Sequence, residues 1–331
     1  MKKIKIIILL TVSAALSCLA NSAPITASIV VEGTAHDALF DIDIRGDEGY
    51  AVGYAGDIYH TIDAGKTWSS EHNDNTLALL GVSFSKSSTI AVGQYGLIMV
   101  RDSAGSWRQV ESGTEERLFS VDVNNKGYAI ASGSFGTLLR SIDGGNTWES
   151  VAPSWAGMFD DPDNRLGSLF DPSLYGVKVS ESGRAWVVGE LALILNSDDQ
   201  GQTWIVVNAG GSSEHGVSPT LSAIDMRADG VAYAVGQEGF MLKSLDFGRS
   251  WRKLESVTHQ NLLSVKTKSS GLVVVPGMRD ILMSTNDGES WRSVVGLDIQ
   301  VGWYGSVAIP SSGAGVLVAG NNGNIIRVEQ N

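Results

Sequence analysis

The chain has 331 residues, a formal net charge of −12 and a single cysteine, Cys18. Such an acidic balance argues against a protein that binds nucleic acid or another polyanion, and one cysteine excludes an internal disulfide framework. The five histidines are scattered singly, without the HxxxH or CxxC spacing of metal sites. We therefore expect neither a metal nor a cofactor.

The first residues indicate export. Three lysines near the start precede the apolar run 6–16 and a stretch of small residues, which predicts a secretory signal peptide over residues 1–22, too short to span a membrane as a helix. Its removal leaves 21 basic against 36 acidic residues, a net charge of −15. Cys18 lies in the sequence ALSC, which fits a loose lipobox. Two outcomes stay open: a lipid anchor on Cys18, or its removal with the signal.

An eight-residue pattern (Ser or Thr, x, Asp, x, Gly, x, x, Trp) occurs six times, four of them with every fixed position kept, for example as SIDGGNTW at 141–148. In a β-hairpin the Asp and Ser or Thr oxygens accept free backbone N–H groups of the turn, the Gly takes the positive-φ corner, and the Trp buries a large ring. These roles describe a structural device rather than a catalytic one. The Asp-box pairs are Asp63 and Trp68, Asp102 and Trp107 (the weakest copy), Asp143 and Trp148, Asp199 and Trp204, Asp246 and Trp251, and Asn286 and Trp291.

A second block, an apolar run ending in Gly followed by a short turn and another apolar strand, occurs seven times. Each copy follows a short alternating segment, such as LFSVDV at 118–123, whose period of two predicts a half-buried strand. Repeats of about forty residues with four short strands each predict an all-β fold, a seven-bladed β-propeller with four-stranded antiparallel blades in a single domain, 24–331. We expect the apolar block, with small residues such as Ala131, to lie beside the central axis.

The sequence contains seven apolar blocks but only six Asp boxes. The last blade therefore lacks the box and the outer strand that follows it. The segment 25–31 (ITASIVV) has strand character but belongs to no repeat. We expect it to supply the outer strand of the last blade by pairing with residues 325–328, which removes a free sheet edge. A ring closed in this way is expected to be a monomer.

Two insertions interrupt the period, at 149–173 and at 205–220. Both connect an outer strand to the next blade, so they are expected on the face opposite the box turns, where loops on a rigid scaffold commonly carry function. The variable pair after each apolar block should share that face; its residues are Tyr54, Tyr95, Phe135, Glu190, Glu238, Met278 and Arg279. Aromatic, Met and Arg side chains are typical anchors of protein interfaces. We predict partner contacts by Trp155, Met158, Phe159, Arg165, Tyr95, Phe135 and Arg279. The alternative is that some of them plug the channel or pack the insertion down.

With the box, the AVGxxGxI block and the terminal closure, the chain resembles the photosystem II assembly factor family known as Ycf48, built from BNR/Asp-box repeats, over roughly residues 35–331. The resemblance implies a seven-bladed propeller, exported to the lumenal or periplasmic side and often lipid-anchored. It also implies a protein without enzymatic activity that binds a newly made membrane protein and neighbouring factors during photosystem II assembly. The arginines of this chain are dispersed, so the basic patch of that family is not carried over.

Asp boxes are also similar to those of sialidases and xyloglucan-cleaving hydrolases. No Arg-Ile-Pro motif of the sialidases is present. A hydrolase requires two carboxylates facing across a cleft, one of them with a raised pKa. The candidates are Glu190 with Glu238, or Asp160 with Asp161, and this enzyme is the alternative hypothesis.

Overall fold

The computed structural model describes residues 24–156, 158, 171–210, 212–213, 216–311 and 315–330. These residues form seven four-stranded antiparallel sheets, the blades of a propeller, and one two-stranded ribbon. The predicted fold is confirmed. The signal peptide predicted over residues 1–22, including Cys18, lies outside the described residues.

The strands follow the repeats in order. Blade 1 contains β2 (Leu39–Arg45), β3 (Glu48–Gly53), β4 (Ile58–Thr61) and β5 (Ser69–Ser70). Blade 2 contains β6 (Leu79–Phe84), β7 (Thr89–Gly93), β8 (Ile98–Arg101) and β9 (Trp107–Val110). Blade 3 contains β10 (Leu118–Val123), β11 (Ala129–Gly133), β12 (Leu138–Ser141) and β13 (Glu149–Ser150). Blade 4 contains β14 (Leu174–Val179), β15 (Ala185–Gly189), β16 (Ile194–Ser197) and β17 (Ile205–Asn208).

The ribbon, β18 (Ser212–Ser213) and β19 (Gly216–Val217), lies in the second insertion. Blade 5 contains β20 (Leu221–Met226), β21 (Ala232–Gly236), β22 (Met241–Ser244) and β23 (Arg252–Lys253). Blade 6 contains β24 (Lys266–Thr267), β25 (Val273–Pro276), β26 (Ile281–Ser284) and β27 (Arg292–Ser293). Blade 7 contains β28 (Tyr304–Ala308), β29 (Val316–Gly320), β30 (Ile325–Gln330) and β1 (Ile25–Val31). Short 3₁₀ turns occupy Tyr54–Gly56, Gln94–Gly96, Glu190–Ala192, Gln237–Gly239 and Ile299–Val301. None of the described helical segments has the length and apolar character needed to cross a membrane.

The propeller has two distinct faces. The turns between the second and third strands and the connections between blades lie on one face, which we call the loop face. The hairpins between the first and second strands and the Asp boxes lie on the other, the box face. Both insertions leave the last strand of one blade for the first strand of the next, so their described ends join the domain at the loop face.

The first strand of each blade lines the central channel, and the apolar block lies second. The expectation that the apolar block is innermost is therefore wrong. The physical reason is burial: a second strand is covered on both faces by neighbouring blades and reads as continuously apolar, as in β11, where all five residues are buried. The channel strand has one side toward the cavity, where Phe119 and Ser120 of β10 are only partly buried.

Closure by the N-terminal strand is confirmed. The strand β1 pairs antiparallel with β30 from Ile25 opposite Gln330 to Val31 opposite Ile325. Ile25 is buried in an apolar cluster with residues of blades 6 and 7, including Val294. The last blade is thus built from both ends of the described chain, which joins the ring without an unpaired strand.

The third Asp box shows what these turns do. The Asp143 carboxylate accepts hydrogen bonds from the Ser141 hydroxyl (2.8 Å), the Thr147 amide (3.0 Å) and the Thr147 hydroxyl (2.7 Å). Gly145, at φ 88°, donates its amide to the Ser141 hydroxyl at 2.9 Å. The turn therefore satisfies its own polar groups, as the sequence predicts.

The box also joins neighbouring blades. The half-buried Trp148 ring packs on a cluster shared by blades 2 and 3, and its N–H donates to the Gly145 carbonyl at 2.9 Å. A Cβ on Gly145 would lie only 2.7 Å from Ile90 of blade 2. Glycine is thus required by close approach to the preceding blade as well as by its backbone angle.

We expect deletion of residues 24–33 to lower the melting temperature by more than about 5 °C and to promote aggregation, because it removes buried Ile25 and exposes the edge of β30. Calorimetry and light scattering measure both effects. A deletion variant that melts with the parent and stays monodisperse would contradict this role of β1.

We expect Asp246→Ala to destabilise the protein by about 1–2 kcal/mol, since three hydrogen bonds to the carboxylate are lost. Asp246→Asn should cost less, because Asn286 in the sixth box accepts from Ser284 and the Ser290 amide and donates to the Ser290 hydroxyl. Urea unfolding at pH 7 compares the three proteins.

The Asp246→Asn variant also tests pH dependence. Hydrogen bonds from Ser250 and Ser244 lower the pKa of Asp246 from 3.8 to about 2. A depressed folded pKa contributes stability that is present above the unfolded value and lost as pH falls toward the folded value. The parent should therefore lose more stability than the variant between pH 4 and pH 2. Equal acid sensitivity of the two proteins would contradict this assignment.

Candidate partner-binding mouth

A cavity of about 620 Å³ occupies the channel at the loop face. The local geometry of the first strands explains its lining. In six blades the pairing of the first strand shifts register between its first and third residues, a β-bulge that leaves the second residue unpaired. These second residues line the cavity; they are Phe40, Leu80, Phe119, Tyr175, Ser222 and Gly305.

Aromatic rings dominate two sides of this cavity. Phe40 of blade 1 stacks on Trp303, next to blade 7, with ring centroids 5.8 Å apart, and Phe119 of blade 3 stacks on Tyr175 of blade 4 at 4.9 Å. All four rings are only partly buried. Rigid, partly exposed aromatic pairs provide large contact areas at low entropic cost. We call the cavity and these four rings the mouth.

Polar side chains also line the mouth. Glu190 accepts the Ser173 amide at 2.8 Å, and Gln94 and Gln237, at the same repeat position, accept equivalent amides in blades 2 and 5. Glu190 therefore has the structural partner that its repeat position requires. Arg117, at the end of the connection into β10, is exposed and lines the cavity.

Deeper in the channel, side chains of one blade accept amide protons of the next. Asp43 accepts from Phe84 at 3.0 Å, and Asp122 accepts from Val179 at 2.8 Å. Channel strands have no sheet neighbour on their inner side, so these carboxylates occupy an edge that would otherwise be unpaired. The same contact recurs from Asp41 to Val82, Asp225 to Thr267, Ser83 to Val123 and Ser306 to Ile42.

Cations balance these acids. The Lys178 ammonium lies 3.3 Å from Asp122 and 3.7 Å from Asp225, and Arg45 lies 3.2 Å from Asp122. Burial alone would raise the pKa of Asp122, but Lys178 and Arg45 outweigh it and hold that pKa below its usual value. Burial would lower the pKa of Lys178, but Asp122 and Asp225 raise it above its usual value. We call Asp41, Asp43, Ser83, Asp122, Lys178 and Asp225 the inner belt.

Burial raises the pKa of Asp41, and hydrogen bonds from Ser306 and Val82 offset only part of that effect. The described residues contain no group of three or more His, Cys, Asp or Glu side chains placed to hold a metal ion. For binding, the mouth presents its four aromatic rings and a few polar side chains such as Glu190 and Arg117.

Tyr95, Phe135 and Arg279 lie at the tips of the second hairpins of blades 2, 3 and 6, on the loop face. Each has a left-handed backbone, with φ of 53°, 49° and 63°. Tyr95 is 73% exposed and Phe135 69%. Bulky residues rarely adopt this conformation, and it is held here by the surrounding turn. Their exposure fits the predicted partner contacts.

Trp155 is placed differently from its prediction. It is 8% exposed and packs with Tyr128, Ile130 and Leu174 in a cluster of blades 3 and 4. Partly buried Met158 packs on the same cluster. This placement argues against Trp155 as a partner contact, because its buried ring covers the junction between two blades. Phe159, Arg165, Asp160 and Asp161 lie outside the described residues.

The four aromatic rings of the mouth and the side chains of the inner belt are not among the residues predicted from the sequence. A signal for them exists: the second position of the alternating segment holds Phe40, Phe119 and Tyr175, and its fifth holds Asp43, Asp122 and Asp225. Both sets recur in several repeats at a fixed position of the first strand, and neither forms a contiguous motif.

We expect Lys178→Met to destabilise the protein by about 3 kcal/mol, because Asp122 and Asp225 lose a shared cation. Lys86→Met, at an exposed position of blade 2, is the matched control and should change little. Adding Asp122→Asn to Lys178→Met should cost less than the sum of the single changes. Additive urea-unfolding energies would contradict the coupling.

The comparisons with known proteins agree with this architecture. The sequence profile of the photosynthesis system II assembly factor YCF48 family matches residues 99–208 and 158–260. No curated protein sequence matches the chain. A solved structure of YCF48 bound to D1 peptide is similar at 18% identity, covering 93% of this chain and 97% of that one, with a TM-score of 0.67.

Two other solved structures share the fold. YCF48 from Cyanidioschyzon merolae has 18% identity, covers 91% of this chain and 98% of its own, and has a TM-score of 0.69. The GH74 xyloglucanase from Xanthomonas campestris has 15% identity and a TM-score of 0.68, covering 93% of this chain but 54% of that one. At these identities the structural similarity establishes only the fold. The family match indicates in addition which kind of repeat builds the blades. Over residues 99–260 the chain is similar to the Ycf48 assembly factors, which are built from the same kind of repeat.

Proposed function

We propose that this chain is an exported, non-enzymatic assembly propeller of the YCF48 kind, which binds a segment of a membrane protein such as a photosystem II subunit at its loop face. The observation that carries the proposal is the alignment of an aromatic mouth with exposed aromatic tips on one face. The match to the YCF48 family over residues 99–260 and the D1 peptide bound by a solved YCF48 support the choice of partner.

The mouth suits a protein segment. Its volume of about 620 Å³ accommodates a few side chains rather than a folded domain. Phe119, Tyr175 and Trp303 offer apolar and stacking contacts, while Arg117 adds a positive charge at the cavity edge. The tips at Tyr95 and Phe135 extend the contact surface outward over blades 2 and 3. Together these groups provide aromatic and Arg anchors of the kind found in interface hot spots.

The hydrolase alternative has less support. Glu190 is used to accept a backbone amide, and Glu238 lies at an exposed hairpin tip. Asp41 has a raised pKa, but it accepts hydrogen bonds from Val82 and Ser306 that fix it against the channel wall. The second candidate pair, Asp160 and Asp161, lies outside the described residues.

Export and anchoring complete the proposal. The lysine-rich start and apolar run support secretion, and the ALSC sequence supports a lipid on Cys18. A periplasmic or lumenal location would place the domain on the side of the membrane where such partners expose their loops. We propose a monomeric domain, as the closed ring suggests.

We expect Tyr95→Ala with Phe135→Ala to reduce recovery of a membrane-protein partner at least about tenfold in a pull-down from solubilised membranes, because two exposed aromatic anchors are removed. Ile62→Ala with Ile142→Ala is the matched control, since these exposed residues lie in the box turns of blades 1 and 3. Both double variants should melt like the parent.

Equal recovery by the two double variants would contradict the proposed contact face. The enzyme hypothesis would replace the proposal if the parent turned over a glycan and Glu190→Gln abolished that turnover while no partner was recovered.

A further inference from the structure

A second exposed region lies at the rim of the loop face, between blades 6 and 7. The connection from β27 to β28 carries Val295, Leu297 and Val301, which are 52%, 39% and 82% exposed. Thr258 of the preceding connection lines the same groove, of about 660 Å³, and its neighbour Val257 is 60% exposed. We call Val257, Val295, Leu297 and Val301 the rim patch. Four aliphatic side chains in one corner form an unusual concentration of exposed apolar surface.

The connection is anchored from beneath. Ile299 is 3% exposed and belongs to the apolar cluster that contains Ile25. The Val301 amide donates to the Asp298 carbonyl at 3.0 Å, and the Arg279 amide donates to the Gly302 carbonyl at 2.9 Å. The exposed valines are therefore presented by a fixed segment that buries its one inward-facing isoleucine.

The described chain begins at this corner. The Val295 amide donates to the Ile25 carbonyl at 3.0 Å, and Thr26 forms a parallel bridge with Val295. Residues 1–23 therefore join the domain at a point directly beside the rim patch. Cys18 precedes Pro24 by six residues, a span of at most about 20 Å when extended.

We propose that the rim patch rests on the apolar boundary of a lipid bilayer and fixes the orientation of the tethered propeller. This inference rests on the proposed export and the lipid on Cys18. A tether of that length keeps the patch at high effective concentration near the membrane, so weak apolar contacts suffice. The four exposed side chains of the rim patch are all aliphatic, and such side chains insert at the boundary between headgroups and acyl chains without a shaped pocket.

The proposed docking has a consequence for the mouth. Met278 bridges to Trp303, and the Arg279 amide donates to the same connection that carries Val301. The rim patch therefore adjoins the mouth along the connection into β28. Docking at the rim brings the aromatic cavity close to the membrane surface, where loops of a membrane protein emerge.

Fluorescent labelling tests the proposal. All seven blades lie within residues 25–330, so the domain without residues 1–23 retains every described strand and contains no cysteine. Val301→Cys can carry a single environment-sensitive nitrobenzoxadiazole label. Ile62→Cys, 74% exposed on the box face, is the matched control. An N-terminal hexahistidine tag replaces residues 1–23 and holds each protein on phosphatidylcholine vesicles that contain a nickel-chelating lipid.

On vesicles the label at position 301 should brighten at least twofold, and spin-labelled lipid should quench it, whereas the label at position 62 should remain unchanged. Adding Leu297→Asp and Val295→Asp should abolish the response at 301 without changing tethering. Equal behaviour at 301 and 62 would overturn the proposal. So would a response at 301 without vesicles that rises with protein concentration, which would indicate a second copy on the patch.

The pull-down separates this inference from the proposed function, since detergent-solubilised membranes contain no bilayer. Partner recovery without entry of the position-301 label into lipid would overturn only the docking. Entry of the label without partner recovery would contradict only the proposed partner.

Discussion

The channel strands of a propeller have no sheet partner on their inner side, and in this protein acidic and hydroxyl side chains of one blade accept amide protons from the next. Asp43 and Asp122 do so at 3.0 and 2.8 Å. Each such contact fixes the spacing of two blades at the axis, where the strands come closest. A buried carboxylate is costly unless charge balances it, and Lys178 supplies that balance between blades 3 and 5.

The outer part of each junction depends on the Asp boxes. A box closes its own turn and also lays its glycine and half-buried Trp on the preceding blade, as Gly145 and Trp148 do over Ile90. Where both contacts occur, as between blades 2 and 3, a channel contact and an Asp box hold the two blades together at two radii. The strand β1 completes the ring, so the loop-face turns are presented by a closed and rigid frame. Rigidity explains how Tyr95 and Phe135 keep a left-handed backbone while exposed.

Much of this architecture follows from sequence because it repeats. The Asp box gives turn chemistry at fixed offsets, and the missing seventh box predicts the closing role of residues 25–31. The order of the strands within a blade was harder to predict. The continuously apolar block was expected beside the central axis, but it forms the second strand, which neighbouring blades cover on both faces. The channel strand faces the cavity on one side and therefore places Phe119 and Asp122 there among buried apolar residues.

The candidate site was only partly predictable, because its geometry depends on contacts between strands that are not seen in a single repeat. Exposed hairpin tips can be read from a variable pair, but the aromatic mouth arises from β-bulges that redirect Phe40, Phe119 and Tyr175 into the channel. A bulge depends on pairing across strands, so the repeat position of these rings can be seen in the sequence but their direction cannot. Trp155 shows the opposite case, because an apolar residue outside the repeat was expected to meet a partner and instead fills the junction of blades 3 and 4.

The central claim is that a partner segment enters the mouth. Photo-crosslinking from p-benzoylphenylalanine placed at Phe119 tests it most directly, with the same group at Ile142 on the box face as control. In membranes from cells that make the protein, we expect a crosslink from position 119 to a loop or terminus of a membrane protein, identified by mass spectrometry, and none from position 142. Crosslinks of equal yield from both positions, or from position 142 alone, would contradict the account.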